Sequence, residues 1–353
     1  MLKFLIFLFL PFLTFAQIPL NYYSSATGNA DDNLKFELNQ IIDNHIEYPY
    51  TSASTDVWDI LKETDKDPNN SNNVILVYSG VSVNASQEYN SGNGWTREHV
   101  WAKSRGDFGT ITGPGTDVHA LRPLDNATNS TRSNRSFNNC TTCVGVTDSW
   151  SNLTGSQTDP NDWSFEPRDE VKGDVARMIF YMAVRYEGLD GYVDLEPTEQ
   201  MLPQSSIDPT HGVWSTLMDW HRADPVDLWE ENRNDIIYYE FQDNRNPFID
   251  HPELAEHLWG SKTGVNWPEE TLDVVTIDED LIHLYPNPAS GFINIRGLTE
   301  NALIEVYDFV GRKIVSQKLN YHQKTIDISQ LKGSYLFKIT IQNKSIVKRI
   351  LVN

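Results

Sequence analysis

Near residue 260 the hydrophobic rhythm of this 353-residue chain changes, and one core cannot satisfy both halves of it. Before that point the clearest apolar positions recur at helical spacing: Leu34, Leu38, Ile41, Ile42 and His45, then Val175, Met178, Ile179, Met182 and Tyr186. After it they alternate, in runs at 292–295, 303–307, 313–319, 325–328, 335–341 and 345–352, with turns at Gly291, Gly311 and Gly333. Between the two regimes, residues 260–280 decay into Gly, Pro and acidic residues, as an exposed linker does. The pattern predicts an α+β chain. A mainly helical domain over 17–262 is followed by a linker over 263–280 and a small antiparallel β-sandwich over 281–353.

The N-terminus has a short basic start at Lys3 and an apolar run from Phe4 to Phe15, ending at Ala16 before Gln17. This is the pattern of a secretory signal peptide, with cleavage expected after Ala16 and a mature form without a membrane span. The run is short for a bilayer anchor, and no other stretch approaches one. Export bears on the two cysteines, Cys140 and Cys143, whose Cys-x-x-Cys spacing is most simply a local disulfide in an oxidising compartment. Within the main domain, Trp58, Ile60 and Leu61 predict a short helix capped by Ser54 or Thr55, and 74–78 is a β-rich run. Asp224-Pro225 predicts the start of a helix reaching about Tyr239, and a last short helix runs from after Pro252 to Trp259.

A formal charge of −21 runs against a phosphate-binding role, which needs Lys and Arg. Its distribution restores that role: the tail from Leu281 carries a net +6 and Lys3 one more positive charge, so residues 4–280 hold a net −28. Inside that acidic body, residues 97–135 place Arg97, Lys103, Arg105, Arg122, Arg132 and Arg135 against Glu98, Asp107, Asp117 and Asp125, a net of +2. A locally basic strip in an acidic body is compatible with a phosphate-binding cleft.

The same strip is polar and irregular, which by itself suggests loop. It nevertheless concentrates chemistry in three elements: Trp95-Thr96-Arg97-Glu98-His99-Val100-Trp101, Asp117-Val118-His119-Ala120-Leu121-Arg122-Pro123 and Asn129-Ser130-Thr131-Arg132. Phosphodiester hydrolysis needs a base that titrates near neutrality, and imidazole is one. It also needs a hard cation held by oxygen, and an arginine for developing charge. Neighbours on a strand, Glu98 and His99 can share a site only if that strand is twisted or bulged. Asn129 offers a neutral carbonyl oxygen that suits Mg²⁺ or Ca²⁺ more than zinc. Asp117 and His119, two residues apart, are placed to brace His99 or the local hairpin from behind. Taken singly, each of these residues has an ordinary alternative, as a surface pair, a core histidine or a turn asparagine.

These motifs resemble the endonuclease I family of secreted nucleases, which use a ββα-metal site. The resemblance implies His99 as general base, Glu98 and Asn129 as ligands of a catalytic Mg²⁺ (with Ca²⁺ or Mn²⁺ as substitutes), and Arg132 on the helix near the scissile phosphate. Gly173-Asp174-Val175-Ala176-Arg177 and the segment from Asp224-Pro225 to Asn244-Arg245-Asn246-Pro247 extend the likeness over roughly residues 30–260. Two departures stand out: Ala102 where the family often has proline, and Asp243 where it often has glycine. The second requires an aspartate to adopt any left-handed turn there. Arg97, Lys103, Arg105, Arg135 and Arg177 are further expected contacts to the nucleic acid, by charge alone. The tail, opening with Tyr285-Pro286-Asn287-Pro288 and ending at Asn353, resembles the C-terminal sorting domain read by the type IX secretion system of Bacteroidetes, so secretion machinery is the expected second partner.

The expected function is a monomeric, secreted, metal-dependent endonuclease without sequence preference, acting on DNA, with action on RNA left open. Two other classes compete with it. A zinc hydrolase of another substrate would use His99, His119 and a carboxylate, but the chain has no His-Glu-x-x-His spacing. A non-catalytic exported binding protein would have a decayed site, yet every catalytic position is filled by a competent residue. For the tail, the competing reading is a carbohydrate-binding or adhesion sandwich.

Overall fold

A computed structural model describes residues 18–268, 282–296, 298, 302–308, 311–319, 324–341 and 344–353. The expected signal peptide and most of the expected linker lie outside these residues. The chain divides into two compact units with the boundary at Glu270–Thr271.

In the first unit, helix α1 (Asp31–Ile42) buries Leu34, Leu38 and Ile42, as their spacing predicts. Helix α2 (Val57–Thr64) is capped by Asp56 rather than by Ser54 or Thr55. The Asp56 carboxylate accepts the Trp58 N–H at 2.8 Å, and Asp59 closes a reciprocal capping box, which a hydroxyl one or two residues earlier cannot do. The polar strip is not loop. It folds as two short strands, β1 (Trp95–His99) and β2 (Leu121–Asp125), followed without a break by helix α3 (Asn126–Arg132).

Helix α4 (Lys172–Arg185) is the centre of the unit. It is expected to be amphipathic, but every residue from Gly173 to Arg185 is buried. Its arginines are accommodated by pairing: Arg177 with Glu230, and Arg185 with Asp190 and Asp43. Around it pack α1, helix α5 (Trp214–Ala223) and the helices α7 (Pro247–Asp250) and α8 (Leu254–Trp259) that close the unit. Asp224 does not start a helix: its carboxylate accepts the Gly173 N–H at 2.8 Å, and helix α6 (Leu228–Ile236) begins four residues later, capped by Asp227. A wide turn over Ile237–Gln242 follows and ends at Asp243, which does adopt the left-handed conformation, with φ 60°.

Strands take a larger share than expected. Besides β1–β2 there is a three-stranded sheet from Lys66–Asp67, Asn70–Ile75 and Ser82–Asn84. A four-stranded sheet runs in the order Ser136–Phe137, Ser164–Glu166, Leu153–Asp159, Val144–Thr147.

The second unit pairs Lys313–Leu319, Ala302–Tyr307, Gly333–Ile341, Lys344–Val352, His283–Ser290, Phe292–Arg296 and Thr325–Asp327, in that order. The alternating runs read from sequence coincide with six of these strands. The seventh, His283–Ser290, carries the Tyr-Pro-Asn-Pro segment and changes partners along its length. Its Ala289↔Val352 pairing is parallel, so the ladder is not wholly antiparallel. Ile304, Phe337 and Ile339 lie in this unit's own core.

The expected linker begins too early. Trp267 is 4 % exposed, edge-on to the Tyr23 and His251 rings, with its indole N–H on Glu253 Oε1 at 3.1 Å. Its backbone exchanges hydrogen bonds with Gly28 and Asn29. A chain ended after Pro268 should keep the thermal stability of this unit. One ended after Trp259 should lose about 3–5 kcal/mol, the usual cost of deleting a buried tryptophan; denaturant melts of the two truncations check this.

Candidate active site

The ββα segment owes its shape to unbroken pairing. Register runs Trp95↔Asp125, Thr96↔Leu124, Arg97↔Pro123, Glu98↔Arg122 and His99↔Leu121, with no bulge. Asp125 ends β2 and starts α3 in one step, its carboxylate accepting the Thr128 N–H at 3.0 Å and the Ser149 N–H at 2.8 Å. Glu98 and His99 both line one cleft of about 450 Å³ together with Asn129 of α3. With no bulge, it is the strong twist of a two-stranded ribbon, at the very end of β1, that lets sequence neighbours share it.

His99 is buried, and its Nε2 lies 3.0 Å from the Gly115 carbonyl. A carbonyl only accepts, so Nε2 carries the proton and Nδ1 keeps its lone pair. The ring stacks on Tyr50 at 5.5 Å and 21°. Burial lowers its pKa to about 3, with the Gly115 bond opposing, so the imidazole is neutral. Burial raises the Glu98 pKa to about 7, against the pull of Arg132 and Tyr78. Glu98 Oε1 is held by Tyr78 Oη at 3.0 Å and Arg132 Nε at 3.0 Å, which leaves Oε2 without a partner among the described residues. The Asn129 carboxamide likewise has none among the described residues, although it lines the same cleft. A costly buried carboxylate facing a partnerless carbonyl oxygen is the donor set of a hard divalent cation, and the residues present fit one.

Arg132 is elsewhere than expected. It is fully buried beneath Glu98, with Nη2 on the Val100 carbonyl at 2.5 Å and on His211 Nε2 at 2.9 Å, and Nη1 on the Ser133 carbonyl at 2.9 Å. It orients Glu98 and presents nothing to the cleft. Arg105 is also fully buried, its guanidinium given to the carbonyls of Asn134, Leu202, Pro203 and Ser206. Arg177 is buried against Glu230 at 2.6 Å in α4. Neither lines the cleft, so charge alone misassigned both. Arg97 and Lys103 do line it; Arg135 does not, and its guanidinium lies over the Trp163 ring.

Asp117 and His119 do not touch His99. Asp117 accepts the Tyr181 and Tyr186 hydroxyls at 2.8 and 2.9 Å and the Gln242 amide at 3.0 Å. His119 Nε2 faces the Asn244 carbonyl at 3.2 Å. They fix the segment that carries Gly115, and so act on His99 through one carbonyl. This placement also separates His119 from His99. No cluster of three His, Cys, Asp or Glu ligands among the described residues contains either, contrary to the zinc arrangement. Cys140 and Cys143 are joined to each other as expected. Sequence reasoning missed Tyr50, Tyr78 and His211. A β-rich run ending at Tyr78 was its only trace, and nothing local marks the other two.

Residues 30–253 match the family described as Endonuclease I. The chain belongs to that family. Residues 283–353 match a secretion system C-terminal sorting domain. Among curated proteins, the chain is 52 % identical over 240 residues to an extracellular ribonuclease of Bacillus subtilis (strain 168), covering 67 % of this chain and 78 % of that one. It is 50 % identical over 238 residues to the extracellular ribonuclease of Bacillus amyloliquefaciens, with the same coverage. The protein is thus a nuclease that hydrolyses phosphodiester bonds, exported through a type IX sorting tail and extracellular or bound at the cell surface. No described helix is long and apolar enough to cross a membrane.

Removing the Arg132 cation strands a buried carboxylate. Arg132→Met should cost about 3–5 kcal/mol, and adding Glu98→Gln should recover part of it; denaturant unfolding of the single and double variants gives the coupling.

Proposed function

We propose that this nuclease cleaves both RNA and DNA without base preference, by hydrolysis, with His99 as general base and Glu98 and Asn129 as the protein ligands of one Mg²⁺. The observation that carries the reading is the meeting, in one cleft, of an imidazole with a free Nδ1, an unpaired carboxylate oxygen and a partnerless carboxamide. His99 Nδ1 takes the proton of the attacking water, while the Nε2–H bond to Gly115 and the stack on Tyr50 hold the ring in line. The cation, when bound, neutralises the phosphate and the leaving oxygen. Arg97 and Lys103 line the cleft, make no direct ion pair among the described residues, and suit the non-bridging oxygens.

Support for RNA comes from the name of the two Bacillus relatives. Support for DNA comes from the chemistry. With Glu98 and Asn129 assigned to the cation, His99 is left in the cleft to activate water. A water nucleophile is indifferent to the sugar.

With Mg²⁺ the purified protein should cut single-stranded RNA and plasmid DNA, and excess chelator should stop both. His99→Ala should lose roughly 10²–10⁴-fold in rate with nucleic-acid binding retained. Mass spectra of the RNA products should contain no 2′,3′-cyclic phosphate; cyclic ends, or cleavage of RNA alone, would show that the 2′-hydroxyl attacks and would overturn the hydrolytic reading.

A further inference from the structure

Trp163 occupies a backbone conformation that a bulky side chain rarely takes. It is the last residue of the hairpin loop between strands Leu153–Asp159 and Ser164–Glu166, and its φ is 60°. Glycine is the usual occupant of such a position, and a strained aromatic persists only where its surroundings fix it. They do so here. The indole N–H donates to Asn134 Oδ1 at 2.9 Å, and the Trp163 carbonyl accepts the Ser136 N–H at 3.1 Å. Asn134 in turn donates to Ser104 Oγ at 3.1 Å and the Gln204 carbonyl at 2.8 Å, and all three residues line the catalytic cleft. The ring is therefore built into the cleft wall through one shared side chain.

Arg135 lies over the same ring, its guanidinium carbon 3.8 Å from the centroid. Its other contacts are the Thr131 and Asp159 carbonyls. No carboxylate pairs with it among the described residues, in contrast to Arg122, Arg132, Arg168, Arg177, Arg185, Arg222, Arg233 and Arg245. The two acids beside it are engaged elsewhere. Asp159 accepts the N–H groups of Thr141, Thr142 and Asn161, and Asp162 accepts that of Ser164. A half-buried indole and a guanidinium in no direct ion pair among the described residues thus lie against each other, one side chain away from the cleft lining.

We infer that Trp163 and Arg135 form a nucleotide subsite that stacks an unpaired base and holds its phosphate next to the scissile bond, making single strands the preferred substrate. An aromatic face accepts any base, and a guanidinium reinforces the stack. In a duplex the bases are paired and stacked on one another, so this shelf has nothing to engage. The inference rests on the nuclease reading above and deepens it.

The test uses the full-length protein, Mg²⁺ and one labelled oligonucleotide, offered single-stranded and annealed to its complement. Wild type should favour the single strand. Trp163→Gly should cut that selectivity, the ratio of kcat/KM values, roughly 5- to 100-fold. Relief of the left-handed position offsets part of the lost packing, and a thermal melt checks that the variant is folded at the assay temperature. Trp163→Phe should keep most of the selectivity, and Arg135→Gln should lower it. An unchanged ratio in Trp163→Gly and Arg135→Gln would overturn the subsite, whether the two rates fall together or not at all. Wild type that cuts neither form would instead defeat the nuclease reading itself.

Discussion

The carboxylate of Asp117 is the constraint on which the site depends. A buried anion is costly unless surrounded by donors, and this one gathers the hydroxyls of Tyr181 and Tyr186, the amide of Gln242 and the backbone N–H of His119. Burial pushes its pKa up, but His45, His119 and these hydrogen bonds outweigh that and hold it below the ordinary value. The donors come from the central helix, from the turn before Asp243 and from the segment leading into β2. One side chain therefore locks three parts of the chain together, two residues from the carbonyl that fixes the His99 tautomer. The His99 imidazole is positioned from the protein core, not from the cleft that it lines.

What the sequence made legible follows from which interactions are local. Helical and alternating periods are local, so α1, α4 and the strands of the second unit were readable. The caps were partly so: Asp56 outcompeted Ser54 and Thr55 because it alone closes a reciprocal box with Asp59, and Asp224 was drawn off to Gly173 by a contact distant in sequence. The ββα strip has no period to read, because its strands are short and polar; chemistry gave it away instead. Glu98, His99 and Asn129 are unusual donors in a tight span. Their partners Tyr50, Tyr78 and His211 are ordinary residues brought in by the tertiary fold. Arginine was the least legible type, since the same guanidinium serves carbonyls at Arg105, carboxylates at Arg132 and Arg177, and open solvent at a cleft.

That ambiguity resolves into a division of labour across an acidic protein. Most arginines of the first unit are consumed by ion pairs that tie helices and loops together. Arg97 is different: it lies sandwiched between the Tyr50 ring at 3.4 Å and the Trp58 ring at 4.1 Å, bonded to backbone and hydroxyl oxygens, with Asp56 and Glu88 acting on it only at longer range. Lys103 lies in the same wall. The cleft thus gathers two cations in a unit whose sequence is acidic as a whole, an arrangement that favours an anion there over the rest of the surface.

Trp267 carries a consequence of a different kind. Its ring and backbone close against Tyr23, Gly28 and Asn29, so the two ends of the catalytic unit are sewn to each other. Closing so long a loop is among the slowest events a chain of this kind undergoes. The seam also cannot form until nearly the whole unit has been synthesised. The first unit is thereby left unfinished for as long as its last few residues are missing, and the stitch that completes it comes before the chain reaches the tail that addresses it for export.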